Sequence, residues 1–393
     1  MASIAVASDL HCHALAGGRQ AESFLTTGLG KTPWRANPVE SLKRRIADSN
    51  LRAEVLLSPG DLGNKCSQEG MTYAWTAIHE IGEALNVASV IATLGNHDVD
   101  SRRTNGPDPF APARAIATSF PLTNDAQAGE YWAKHFCLID EDDLRLLVIN
   151  SVASHSNEEE AKHGAIKDAT IELIEEALDR APGPAVRVAL VHHHPHPHED
   201  IGLGAEDLMH GGQNLLDLLG KRGFALVVHG HKHHPKLSYA QGGANSPVVF
   251  AAGSLTHINH GELASNTRNL FHLIDLRTTQ LAHCTVEGTI RSWEFNFGGG
   301  WNPATTKSAG FPWIAGFGCR STHNDMVGYV LPQLNPGLSQ WGTLEAAVPQ
   351  LRYVLPQDKV AVLRVLQEQH GVEILYGDDG EPALLRKADA EKP

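Results

Sequence analysis

Five short runs of this chain carry aspartate, asparagine and histidine where an apolar run stops. Asp9-Leu10-His11 follows residues 4–8. Gly60-Asp61 follows residues 55–58, and Gly95-Asn96-His97-Asp98 follows the run that begins at Ser89. His192-His193-His194-Pro195 follows residues 186–191, and Gly230-His231-Lys232-His233 follows residues 224–228. Carboxylate, amide and imidazole groups together form a mixed oxygen and nitrogen donor set, the kind that divalent transition metals take. Any one of these runs is a common turn sequence. Five of them in this order, each at the end of an apolar run, are hard to obtain from core packing or solvated loops. Histidine is unusually dense here: ten of the 23 fall between His192 and His234.

The elements that must hold these runs read as alternating strand and helix. Apolar runs at 4–8, 55–58 and 89–94 predict strands. Apolar spacing at 38–50, with Pro38 at the start and Leu42 and Ile46 one turn apart, predicts a helix, as does 69–86. A β-α-β-α-β order implies a largely parallel sheet, whose strand C-termini gather ligands on one rim. Residues 100–129 read as mixed. Strands are expected at 145–150, 186–191, 224–228, 248–252 and 270–276, with helices at 168–179 and 212–219. Residues 293–319 are rich in Gly and aromatics and lack periodicity. Trp301, Phe311, Trp313 and Phe317 there are expected to pack an irregular segment onto the main domain rather than to stack on a base. A helix at 359–370 and a hairpin at 372–386 around Asp378-Asp379-Gly380 close the chain.

Composition excludes several classes. The 393 residues are 42% hydrophobic and 20% charged, which suits a globular protein and not a disordered one. No run approaches the roughly 20 apolar residues of a membrane helix. The N-terminus lacks a basic region and its apolar stretch stops at Asp9, so no signal peptide is expected. Five scattered cysteines (12, 66, 137, 284 and 319) without a CxxC argue for a reducing, cytoplasmic setting. A net charge of −13 weighs against long nucleic acid as the partner.

The five runs, in this order, resemble the calcineurin-like metallophosphoesterases, whose signature is DxH, GD, GNH(D/E), a later His often written HHP, and GHxH. The resemblance covers roughly residues 1–285. It implies an α/β fold, a four-layer α/β/β/α sandwich, with a small C-terminal extension. The expected division is 1–287 for the metallophosphoesterase domain and 288–393 for a regulatory or assembly module. It further implies two divalent metal ions, for which manganese, iron or zinc suit the mixed nitrogen and oxygen ligands. Asp61 would bridge both ions. Asp9, His11 and His233 would complete the first shell, and Asn96, His193 and His231 the second. Aligning the triple histidine on Pro195 selects His193, and His192 is the competing choice. No cysteine matches a ligand position.

Metals roughly 3.5–4 Å apart clamp a phosphoryl group and activate a water. The implied function is therefore hydrolysis of a phosphoester by attack of metal-bound hydroxide. A small diester such as a nucleotide is favoured. A phosphomonoesterase, a nuclease and a catalytically weak protein-binding scaffold are the alternatives. The resemblance gives His97 the catalytic place over the phosphoryl group, where an imidazole with a near-neutral pKa can protonate the leaving oxygen. In several members that His pairs with an Asp three residues after the bridging Asp. Here the position is Asn64, which can orient the ring but brings no charge, and Asp98 is the candidate for the missing carboxylate. Asn64, Asp98, Arg102 and His196 are the candidate substrate-binding residues.

Overall fold

The computed structural model describes residues 1–14, 22–28, 33–104, 106–155, 157–198, 208–279, 285–335 and 337–387. Cys284 and parts of the Gly-rich connection after His13 and of the loop after His198 lie outside them. In chain order the strands are β1 (Ala2–Val6), β2 (Val55–Ser58), β3 (Ser89–Ala92), β4 (Phe136–Glu141), β5 (Leu144–Ile149), β6 (Val186–Leu190), β7 (Leu226–His229) and β8 (Lys236–Tyr239). There follow β9 (Val248–Ala251), β10 (Asn269–Thr278), β11 (Val286–Asn296), β12 (Gly300–Pro303), β13 (Ile314–Phe317), β14 (Gly337–Gln340), β15 (Val372–Tyr376) and β16 (Pro382–Lys387).

Two large sheets face each other. The first has the order β12-β11-β10-β1-β2-β3, with β13 also on β11; the second runs β4-β5-β6-β7-β9-β8. Their centres are parallel: β1-β2-β3 in one, β5-β6-β7-β9 in the other. Strands β10, β4 and β8 pair antiparallel beside them, so each sheet is mixed. In the second sheet, side chains alternate between two cores, as the two-residue repeat of a strand requires. Leu146, Val188, Val228 and Phe250 join the core shared with Val6, Leu57 and Ile274 of the first sheet. Leu147, Ala189, Val227 and Val249 face the other way, onto Ile174 and Leu178 of helix Asp168–Arg180 and Leu215 and Leu219 of helix Gly212–Lys221.

Helix Pro38–Asp48 starts where sequence and geometry agree. Asn37 Oδ1 accepts from the amides of Val39 and Glu40 at 3.1 Å each, and Pro38 needs no partner at the first position. This helix and Gln68–Leu85 bury Leu42, Ile46, Ile78 and Ile81 in the core of the first sheet. The outcome is the α/β/β/α arrangement.

Three expectations differ from what is observed. The stretch before Arg145 contains helix Asp125–Lys134 and strand β4. Residues 293–319 hold the end of β11, β12, helix Thr306–Ala309 and β13, elements too short to show a period. Trp301 there donates from its indole to Pro38 O at 2.8 Å, which fixes the segment against the first helix. Finally, position 288 lies inside β11, where Gly288 pairs with Leu276 on one side and Phe317 on the other. The first sheet therefore continues to Phe317. A separate apolar cluster, including Met326, Leu351, Leu366 and Leu385, begins only at Cys319. It is built from helices, among them Pro356–His370, and the sheet β14-β16-β15. Tyr239 links the two parts: its hydroxyl donates to Cys319 O at 3.1 Å and accepts from Gly318 N at 3.2 Å.

Candidate metal centre

The ends of β1, β2 and β3 and those of β6 and β7 bring the five runs together. The backbone is strained at these ends. Asp9 (φ 52°), His11 (φ 47°), Asp61 (φ 53°), His231 (φ 84°) and His233 (φ 57°) all lie in the left-handed region. For residues other than Gly each such position costs on the order of 1–3 kcal/mol. Gly60 (φ 106°) makes the turn into Asp61. A Cβ there would stand 2.6 Å from Gly95 N and 2.9 Å from His192 Nδ1. A Cβ at Gly95 would collide with the Asp61 carboxylate. Both glycines thus let two ligand loops close on each other.

Two donor sets result. In the first, Asp9 Oδ1 lies 3.5 Å from His233 Nε2, and His11 Nε2 lies 3.5 Å from Asp61 Oδ2 and 2.9 Å from His233 Nε2. In the second, His192 Nε2 lies 3.4 Å from Asp61 Oδ2 and 3.1 Å from Asn96 Oδ1, and His231 Nδ1 lies 3.0 Å from the same Asn96 oxygen. One oxygen of Asp61 faces both sets. Its other oxygen accepts from the His97 amide at 2.8 Å.

Two of the triple histidine, His192 and His193, both reach the second donor set, by different contacts. His192 sends Nε2 toward Asp61 and Asn96 while its Nδ1 meets Pro59 O at 2.8 Å. His193 lies within reach of His192 and His231, all three offering nitrogens within 4.8 Å of one another. Its Nδ1, however, meets Ser151 Oγ at 2.8 Å, and its ring packs against His155 and His231. His192 alone of the two faces the shared carboxylate. His192 and His193 are successive bends just past the end of β6, and their rings stand nearly perpendicular, at 88°.

Electrostatics are governed by burial and by Asp61. Burial opposes ionisation of Asp61, but the facing imidazoles of His192, His97 and His11 hold its carboxyl well below the usual range. Burial likewise disfavours His192 cation, and Asp61 beside it prevails, raising its pKa to about 9. Burial first, then neighbouring imidazoles, hold His11 and His231 well below the ordinary histidine value, so both are neutral, as metal ligation requires. His11 Nδ1 and His231 Nε2 are buried without a hydrogen-bond partner. The buried carboxylates of Asp9 and Asp61, faced by the imidazoles of His11, His192 and His233, form a cation-seeking cradle. These residues fit two divalent transition cations, one on each side of Asp61.

The remaining predicted residues divide. His97 flanks His11, with ring centroids 4.5 Å apart. Asn64 Oδ1 stands 3.1 Å from His97 Nδ1. Asp98 is not paired with His97. Its two oxygens accept from the amides of Gly63 and Gly95, at 2.9 Å each, and brace the two ligand loops. Burial, then the Asp61 charge, raises its pKa to about 7. Arg102 is exposed and is not part of the buried cluster. His196 lines a small cavity with His194, His198, His229 and Lys236. His257 lies in none of the five runs, yet its ring lies 4.1 Å from that of His233 and 4.8 Å from that of His11. Its position just past the end of β9 was the available signal. Glu22, hydrogen-bonded to Asn64, lies in a polar connection that offered none.

The family model of calcineurin-like phosphoesterases matches residues 2–235. The chain belongs to this family. Its members are hydrolases acting on phosphoester bonds. Among curated proteins, none matches the chain. Three solved structures are similar to it. A purple acid phosphatase of yellow lupin (Lupinus luteus) is 12% identical over 77% of this chain and 52% of its own, with a TM-score of 0.45. This chain thus spans about half the length of the lupin enzyme. A predicted phosphoesterase of Streptococcus pneumoniae is 9% identical over 81% and 97% of the two chains, with a TM-score of 0.31. Phosphopantetheinyl hydrolase of Mycobacterium tuberculosis is 14% identical over 64% and 89%, with a TM-score of 0.36. Among the described residues no helix is long and apolar enough to cross a membrane.

Proposed function

We propose that this family member hydrolyses a small phosphodiester at a centre for two divalent cations. The observation that carries the reading is Asp61 Oδ2, 3.5 Å from His11 Nε2 and 3.4 Å from His192 Nε2. Asp9, His11, Asp61 and His233 would hold one ion, and Asp61, Asn96, His192 and His231 the other. Manganese, iron or zinc suits this donor set. Two such ions, when bound, neutralise phosphoryl charge and activate water for in-line attack. The chain itself supplies orientation and protons. Asp61 anchors the His97 backbone at 2.8 Å, so the ring that overhangs the site is referenced to the shared carboxylate. His97 turns Nδ1 to Asn64 and keeps Nε2 for the leaving oxygen. Burial lowers the pKa of His97, Asp61 opposes that, and a phosphoryl anion would oppose it further. The lean to a small diester is supported by the HHP and GHxH form, which resembles the branch of small bacterial diesterases. The net charge of −13 weighs against a long nucleic acid.

We assign the cluster beyond Phe317 to a regulatory or assembly module, supported by its separate apolar core. The test of the function is a hydrolysis screen of the chain loaded with Mn, Fe or Zn, on matched mono- and diesters, including cyclic and linear nucleotides. A diester kcat/KM at least tenfold above the monoester value is expected. A monoester preference overturns the diester assignment, and no hydrolysis of any phosphoester with two ions bound overturns the whole reading.

A further inference from the structure

Asn64 replaces the carboxylate that pairs with the overhanging histidine in several family members, so the orientation of His97 needs another origin. Asn64 Nδ2 donates to Glu22 Oε2 at 2.5 Å, and the other Glu22 oxygen accepts from Lys65 Nζ at 2.7 Å. A carboxylate only accepts, so the amide NH2 of Asn64 must face Glu22 and its oxygen must face His97. The 3.1 Å contact between that oxygen and His97 Nδ1 then requires the hydrogen on Nδ1. One contact opposes this: the Lys65 backbone N–H points at the same Nδ1 from 3.3 Å. It is the longer of the two, and the Glu22 charge leaves the amide no second orientation, so the shorter bond decides.

Glu22 is itself anchored. Its backbone oxygen accepts from Ile258 N at 2.9 Å, and Phe24 N donates to Thr256 O at 2.8 Å. Ser23 Oγ between them donates to Leu10 O at 2.7 Å, inside the first ligand run. Burial pushes the Glu22 carboxyl up, but the bonds from Lys65 and Asn64 outweigh that and hold it below the usual carboxylate range.

We propose that Glu22 is a positioning residue which, acting through Asn64, fixes the tautomer and ring orientation of His97 so that Nε2 meets the leaving oxygen. This rests on the phosphoesterase reading above. When the P–O bond breaks, the leaving oxygen takes the electron pair and the Nε2 proton of the His97 imidazolium, which is left as the neutral Nδ1–H tautomer that Asn64 Oδ1 holds. The arrangement matters most when that oxygen is a poor leaving group.

The experiment compares bis(4-nitrophenyl) phosphate with diphenyl phosphate, the poorer leaving group, on the full chain loaded with two cations. Glu22→Gln, which keeps the size, and Glu22→Ala should each lower kcat on diphenyl phosphate roughly tenfold. On the nitrophenyl ester kcat should stay within about twofold, with KM and metal content unchanged. Asn64→Asp places the carboxylate directly on His97, so in that background Glu22→Ala should be neutral or raise kcat by relieving like-charge contact. Equal losses on both esters, an unchanged rate on both, or the same Glu22 effect in the Asn64→Asp background overturns the proposal. Loss of the cations in Glu22→Gln also overturns it, by making the role structural. Wild type that turns over neither ester refutes the diester assignment on which this inference rests, and this inference with it.

Discussion

The rim that carries the ligands and the cluster beyond Cys319 are built by opposite rules. The rim holds five non-glycine residues with left-handed backbone and the buried carboxylates of Asp9, Asp61 and Asp98. The C-terminal cluster follows local preference. Helix Pro356–His370 begins with proline and ends at Gly371 in the left-handed region, and helix His323–Val330 carries a capping box between Thr322 and Asp325. The contrast locates the chemistry. Strain and uncompensated polarity persist where surrounding structure, or a bound cation, over-determines them.

The comparison can be broken or sharpened in four ways. The largest effect is expected from Asp61→Asn, which removes the charge facing both donor sets. Turnover should fall roughly 10³-fold, about 4 kcal/mol of transition-state stabilisation, and metal content should drop with it. Near-normal turnover would show that no shared carboxylate is needed. His97→Ala comes next, with both cations retained and a loss of roughly 10² on poor leaving groups. Metal loss in that variant would make His97 a ligand. Third, His192→Ala should leave about one cation per chain by elemental analysis, whereas His193→Ala should weaken the second cation only roughly tenfold. The reverse order would restore the alignment on Pro195. The smallest effect on catalysis is expected from Leu385→Ala in the C-terminal core. It should cost about 2–5 kcal/mol in denaturant unfolding of that part while kcat changes by less than about twofold. A large loss of kcat would tie the module to the site.

Much of the site was legible because each motif is local. Gly60-Asp61 and Gly95-Asn96-His97-Asp98 sit where a run ends, and their spacing within a turn is set by the chain. The elements around them were legible for the same reason: residues 55–58 form a strand with the expected limits, and helix Pro38–Asp48 carries its own cap. The aromatic segment was not, since β12 and β13 are 4 residues each, too short to show the alternation that marks a strand. Nor was the role of Asp98. A carboxylate next to His97 in sequence points into the amides of Gly63 and Gly95 instead, which only the packing of two loops against each other creates.

The sequence by itself determined the donor types, their order and the family, because those depend on residues adjacent in the chain. The tertiary structure decided which imidazole faces Asp61, where the first sheet ends, and that Glu22 reaches His97 through Asn64. These depend on side-chain direction at a strand end and on contacts between segments distant in sequence. Neither is encoded in any local run of residues.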